Sequence, residues 1–391
     1  MISKRLKQLR LARGLSLDAL VAQMGGLVTK QALSKYELGK AKPSPVVLNK
    51  IASVLGVKSA YFWSEPDINV QFIAYRKGSG LVKKEQARVE ALVTNALEDR
   101  IKLQEITQQR NGSSIPIQKL RLRKLKDSED AAESLRSTWD LGLDPIADIT
   151  AVLEDHLVYV IEVKAGEKFD GISAVAYDNE KNIKAASVVS RLGVPGERQR
   201  LNLAHELGHL VLKTPSNVDE EKAAFRFGAA FLAPADGIYR EVGNKRGFIQ
   251  TEELLMLKRR FGISIQALLY RLHDLEVITD SYYKKWCMDI NRLKWKKTEP
   301  LELDPEQPQW LRRNVLRALA EELITKEEAE KMLGESIEDG ETLSYIERRS
   351  FMKLPLEERR RIMAEQAEKM VTYYGLDSDI KEFQGGDIIE Y

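Results

Sequence analysis

Two histidines four residues apart in an otherwise apolar segment, His205-Glu206-Leu207-Gly208-His209, constrain this 391-residue chain more than any other feature. Leu201, Leu203, Ala204, Leu207, Leu210, Val211 and Leu212 surround them, so the segment reads as a buried helix. Burying two imidazoles and a carboxylate there is costly unless they share a partner. A spacing of four puts both imidazoles on one helical face, close enough to hold one ion. Neutral imidazoles suit Zn2+, whose open position carries water. Glu206, one step round the helix, is where a carboxylate can take that water's proton. The chain has four histidines, and neither His156 nor His273 has a second ligand type at suitable spacing, so both are expected to be ordinary polar residues.

Zinc requires a third protein ligand, and no histidine follows His209 closely. The next helical segment opens with Asp219-Glu220-Glu221-Lys222-Ala223-Ala224. Glu221 fits a Glu-x-x-Ala sequence and is the first candidate, with Glu220 and then Asp219 as alternatives. Acidic residues at a helix start also complement its dipole. Tyr239 and Arg200 are candidates for stabilising a tetrahedral intermediate only by their nearness in sequence.

The length implies two or three domains. No stretch approaches the roughly 18 apolar residues of a membrane helix, and residues 1–13 lack the apolar core of a signal peptide. A single cysteine, Cys287, excludes an intramolecular disulfide and a cysteine zinc cage, which fits a reducing cytoplasm. The net charge of +2 conceals a division. Residues 1–64 hold eleven Lys and Arg against Asp18 and Glu37 alone, a net +9, leaving −7 for the rest. A polyanionic partner is expected for that basic module only.

The predicted fold is mainly α with a small α+β metal domain. Residues 1–65 form a five-helix DNA-binding bundle, 66–128 a helical linker, 129–295 the metal domain, and 296–391 a helical C-terminal region. In the bundle, Ser16, Thr29 and Ser44 are predicted N-caps, with Pro45 at a first helical position. Runs rich in β-branched residues at 157–163, 172–177 and 183–189 predict a sheet of about three strands, with one further strand conceivable at 70–75. Helices are expected at 82–109, 128–141, 146–156, 198–212, 218–231, 251–261, 264–275, 309–322, 325–333 and 356–374.

Gly25-Gly26-Leu27-Val28 separates the second and third helices at the tight angle of a helix-turn-helix, whose later helix enters the major groove. Thr29, Lys30, Gln31, Ser34 and Lys35 are predicted to face out, and Ala32, Leu33 and Tyr36 inward. Gln pairs well with adenine and Lys with guanine or phosphate; Lys40 and Lys42 suit phosphates.

Residues 2–64, above all Gln31 through Ser44, resemble lambda-repressor-like, or XRE-type, helix-turn-helix domains, although Leu17 stands where those domains often have Gln. Arg198 through Leu210 resembles the active helix of the ImmA/IrrE family of metallopeptidases, and Glu221 through Pro234 its second helix. The likeness covers roughly residues 130–290. It implies a minimal zinc peptidase fused to a repressor-like domain, with His205 and His209 as ligands, Glu206 as catalytic base and a protein substrate such as a repressor. Many members carry Glu where this chain has Ala223. The last segment, from Arg348 to Tyr391, weakly resembles small antitoxins, which implies a toxin partner.

The expected protein is therefore a cytoplasmic zinc endopeptidase tethered to double-stranded operator DNA, as a homodimer. The alternative is a non-proteolytic repressor or antitoxin that uses the metallopeptidase fold as a sensor or dimerisation body.

Overall fold

The computed structural model describes residues 2–63, 68–73, 82–107, 117–296, 298–337, 351–364 and 367. The chain divides into two compact units, Met1–Ala318 and Leu319–Tyr391.

The basic module is a bundle of α1 (Ile2–Ala12), α2 (Leu17–Gln23), α3 (Lys30–Glu37), α4 (Pro45–Leu55) and a 3-10 turn at Ser59–Trp63. The side chains of Ser16, Thr29 and Ser44 accept from the N–H groups of Ala19, Ala32 and Val47 and start α2, α3 and α4. Gly25 and Gly26 both lie at φ +72°, a left-handed pair that turns the chain sharply between α2 and α3. Leu6, Leu9, Leu20, Leu33, Leu48, Ile51 and Phe62 form the core.

There follow β1 (Asn69–Ile73), α5 (Lys83–Ile106), β2 (Leu120–Arg121), α6 (Asp127–Thr138), α7 (Ile149–Asp155), β3 (Val158–Val163), β4 (Gly171–Tyr177) and β5 (Ile183–Arg191). The chain continues with α8 (Gly196–Val211), β6 (Leu212–Lys213), α9 (Glu220–Leu232), α10 (Ala235–Val242), α11 (Thr251–Phe261), α12 (Ile265–Asp274), α13 (Asp280–Arg292) and α14 (Trp310–Ala320). In the second unit, α15 (Lys326–Leu333) opens with a capping box between Thr325 and Glu328.

The main sheet runs β1-β4-β5-β3. β3 is parallel to β5, and β4 is antiparallel to both β5 and β1. Helix α8 packs on β4 and β5, and α5 on β3 and β5. The central strands therefore read as runs of buried residues rather than alternating ones. The sheet has four strands where the β-branched runs predict three. β1 lies in the expected linker and pairs from Asn69↔Tyr177 to Ile73↔Ser173. It falls on the further strand conceivable at 70–75 and covers hydrogen-bonding groups on β4 that would otherwise face water. β2 and β6 form a separate short parallel pair across some ninety residues of sequence.

Helices α10 and α13 are not among the predicted ones. α13 buries only Trp286 and Ile290, so its apolar stripe is too thin to register as a helical pattern. Of the predicted helix at 356–374, residues 356–364 are helical. Of the rest of that helix only residue 367 is described, and the tail segment 383–391 lies outside the described residues. Among the described residues no helix is long and apolar enough to cross a membrane.

Candidate metal centre and DNA-recognition face

Helix α8 carries His205, Glu206 and His209 into the core, each at most 3 % exposed. α9 crosses it closely, because Gly208 faces α9: a Cβ there would lie 3.1 Å from Ala224 Cα. That approach brings the first turn of α9 over the two imidazoles. His205, His209 and Glu221 each offer a ligand atom, all within 4.8 Å of one another.

Their spacing suits a small tetrahedral ion. Ligands about 2.0–2.1 Å from zinc at tetrahedral angles stand roughly 3.3–3.4 Å apart. The two Nε2 atoms are 3.1 Å apart. Glu221 Oε2 lies 3.5 Å from His205 Nε2, and Glu221 Oε1 3.6 Å from His209 Nε2. Two imidazoles and a carboxylate are the donor set of a zinc site, so the residues present fit the ion.

The other two acidic candidates sit differently. Glu220 Oε1 faces the far nitrogen of the ring, 3.5 Å from His209 Nδ1. Asp219 is the N-cap of α9, its Oδ1 accepting from the Lys222 N–H at 3.0 Å. One helical step separates each acid by about 100°, which is why only one of three neighbours meets both imidazoles.

Glu206 points to β4. Ser173 Oγ lies 2.7 Å from Glu206 Oε2 and 2.8 Å from the Glu206 carbonyl oxygen, and is fully buried. At the start of that strand Gly171 lies against the Glu206 side chain, where a Cβ would come within 2.9 Å of Oε1. Phe225 covers the His205 ring, with centroids 4.1 Å apart. Sequence reasoning did not single out Ser173, Gly171 or Phe225. Phe225 is one α-helical turn beyond Glu221, and that spacing could have placed it at the site.

Tyr239 and Arg200 are engaged elsewhere. Arg200 is buried against the carbonyls of Ile146, Ala147 and Gly262 and pairs with Glu306. Tyr239 OH donates to Leu275 O. Burial raises the Glu306 carboxyl above the usual carboxylate range, with the Arg200 guanidinium opposing it. This pair holds the 299–310 segment against α8. His156 stacks on Trp139 and His273 on Tyr283, apart from the metal cluster.

On the basic module, Thr29, Lys30, Gln31, Lys35 and Lys40 are exposed and Ser34 half-buried, while Leu33 is fully buried. Both acids of the module are engaged. Asp18 pairs with Lys30 at 2.7 Å, and Glu37 forms a two-point pair with Arg10 that ties α3 to α1. α1 packs on α5, where Glu98 receives Arg5, Tyr61 and Gln8. Burial, then Glu98, holds the Tyr61 phenol well above its ordinary range.

Comparison with known proteins gives a match over each of the two domains. The helix-turn-helix family matches residues 6–62, and the family described as IrrE N-terminal-like domain matches residues 189–273. The SPbeta prophage-derived uncharacterized HTH-type transcriptional regulator YonR of Bacillus subtilis (strain 168) is 30% identical over 96 residues, 22% of this chain and 87% of that protein.

Proposed function

From the premise that this chain belongs to the HTH-type (XRE-type) transcriptional regulators, with an IrrE-like domain joined to the DNA-binding one, we propose a DNA-tethered zinc endopeptidase acting on a regulatory protein. The observation that carries this reading is the convergence of His205, His209 and Glu221 within 4.8 Å at the crossing of α8 and α9. His205, His209 and Glu221 hold the ion, and zinc when bound supplies a Lewis acid beside Glu206. Glu206, anchored to Ser173 through Oε2, takes a proton at Oε1 from the attacking water and returns it to the leaving amine. Thr29, Lys30, Gln31, Ser34, Lys35 and Lys40 form the face that meets operator DNA, with base contacts from α3 and phosphate contacts at its end. Residues 129–295 are the peptidase portion, and a symmetric operator would be read by a homodimer in the cytoplasm.

The test compares wild type with Glu206→Gln. Bound zinc is measured, together with cleavage of a repressor encoded beside the gene. One zinc in both proteins and cleavage only by wild type is expected. Equal regulation by both would refute the peptidase reading. DNA binding is tested separately: a salt-sensitive shift on the gene's own promoter, lost in Gln31→Ala with Lys35→Ala, is expected.

A second reading, a non-proteolytic repressor or antitoxin whose metal domain acts as a sensor, is favoured by the docking of α1 on α5, which itself packs on the sheet beneath α8. Operator binding that changes with zinc in Glu206→Gln as it does in wild type would support it.

A further inference from the structure

A cleft of about 810 Å3 opens beside the metal cluster, between α8, α9, α12 and the segment after α13. Such a volume encloses a ligand the size of two or three peptide residues. Phe225 forms the wall it shares with the metal site, one face of the ring lying toward His205. Tyr270, Tyr283 and Trp295 also line it, the two tyrosine rings 6.2 Å apart, and Leu201 and Ile263 complete the apolar lining. Phe225 is 40% and Tyr270 55% exposed, so large aromatic surface on α9 and α12 is left open to solvent.

Lys222, Lys296 and Glu302 lie exposed among the lining residues, while the other charged groups of the cleft are engaged in ion pairs. Arg198 pairs with Asp170 at 2.7 Å and Arg226 with Asp274 at 2.9 Å. Glu197 and Glu299 both receive the buried Lys258, at 2.6 and 3.1 Å. At those pairs a charged guest would compete with contacts already formed, whereas an apolar guest would displace water from the exposed rings.

We propose that this cleft is the subsite receiving the substrate side chain beside the scissile bond, and that it selects a bulky aromatic or aliphatic residue there. The inference rests on the zinc peptidase reading and adds its specificity. The selecting residues are Phe225, Tyr270, Tyr283 and Trp295, with Ala267 of α12 setting how much room remains between them.

The probes are N-acetylphenylalanine hydroxamate and N-acetylalanine hydroxamate, which chelate zinc and carry their side chains beside it. Each is titrated calorimetrically into the zinc-loaded full-length chain. The phenylalanine compound is expected to bind about tenfold more tightly or better, from burial of one aromatic ring. Ala267→Trp, which fills the cleft, is expected to bring the ratio near one while zinc stoichiometry is kept. Tyr270→Ala, at an exposed position that spares the core, is expected to lower it. A ratio near one in wild type, or one unchanged by both substitutions, overturns the assignment. So does bound zinc with no affinity for either compound. Failure to bind zinc at all overturns the peptidase reading itself and is separately visible in the metal content.

Discussion

Gly228 lies directly beneath His205: a Cβ on residue 228 would come within 2.9 Å of the His205 backbone nitrogen and 3.1 Å of the Ala204 carbonyl carbon. Both atoms are backbone, so neither can swing aside. Gly228→Ala is therefore expected to push α9 off α8, at a cost of about 1–3 kcal/mol. Glu221 would move with α9. The checks are urea denaturation and zinc content, with loss of stoichiometric zinc expected in a chain that still folds.

Ser173→Ala removes the hydroxyl that holds Glu206 from a neighbouring strand. The expected loss is about 1–2 kcal/mol of stability for one buried hydrogen bond. Zinc content should be unchanged, because none of the three ligand residues touches Ser173 in the described contacts. Cleavage, in the assay used for Glu206→Gln, should fall about 10–100-fold. Reduced zinc binding would show instead that Ser173 supports the ligands.

Glu98 gathers Arg5, Tyr61 and Gln8 where α1 meets α5, and the Arg5 and Glu98 side chains are only 5% and 15% exposed. Glu98→Ala leaves the Arg5 charge without this carboxylate in a largely buried setting, which costs about 3–5 kcal/mol when one partner is removed. Hydrogen exchange should rise across residues 2–12 while α8 and α9 stay protected. Unchanged protection of α1 would show that apolar contacts alone hold the DNA-binding module there.

Burial raises the Glu162 carboxyl above its ordinary value, opposed by a hydrogen bond from Gln199. A raised carboxyl keeps its proton longer in the folded state than in the unfolded one. Its effect on stability is thus absent at low pH and becomes unfavourable as pH rises from the unfolded value through the folded one. Glu162→Gln keeps an acceptor for Gln199 and removes the ionisation. The variant should match wild type near pH 4.5 and exceed it at pH 8 in urea denaturation; a pH-independent difference would sink this account.

Lys30 is already paired with Asp18 across the turn, whereas Lys40 stands exposed at the end of α3. Lys40→Ala is expected to reduce the salt slope of operator binding by about one. Lys30→Ala should reduce it by less, since the Asp18 carboxylate already offsets the Lys30 charge and leaves it less to give to a phosphate. Equal reductions would show that the Asp18 pair opens on binding DNA.

Local sequence determined much of this protein. Ser16, Thr29 and Ser44 start the helices they were expected to start, because an N-cap needs only its own side chain and the next turn. The spacing of His205 and His209 already placed two imidazoles on one face, because helical periodicity is a property of the segment itself. Tertiary structure decided what depends on a partner far along the chain. The Glu-x-x-Ala sequence ranks Glu221 ahead of Glu220 and Asp219, but the position of its carboxylate beside both imidazoles depends on the crossing of α9 over α8, which Gly208 and Gly228 permit. Ser173 reaches Glu206, β1 pairs with β4, and Phe225 and Tyr270 line one open cleft, because separate segments pack together. No window of sequence contains both members of any of those pairs.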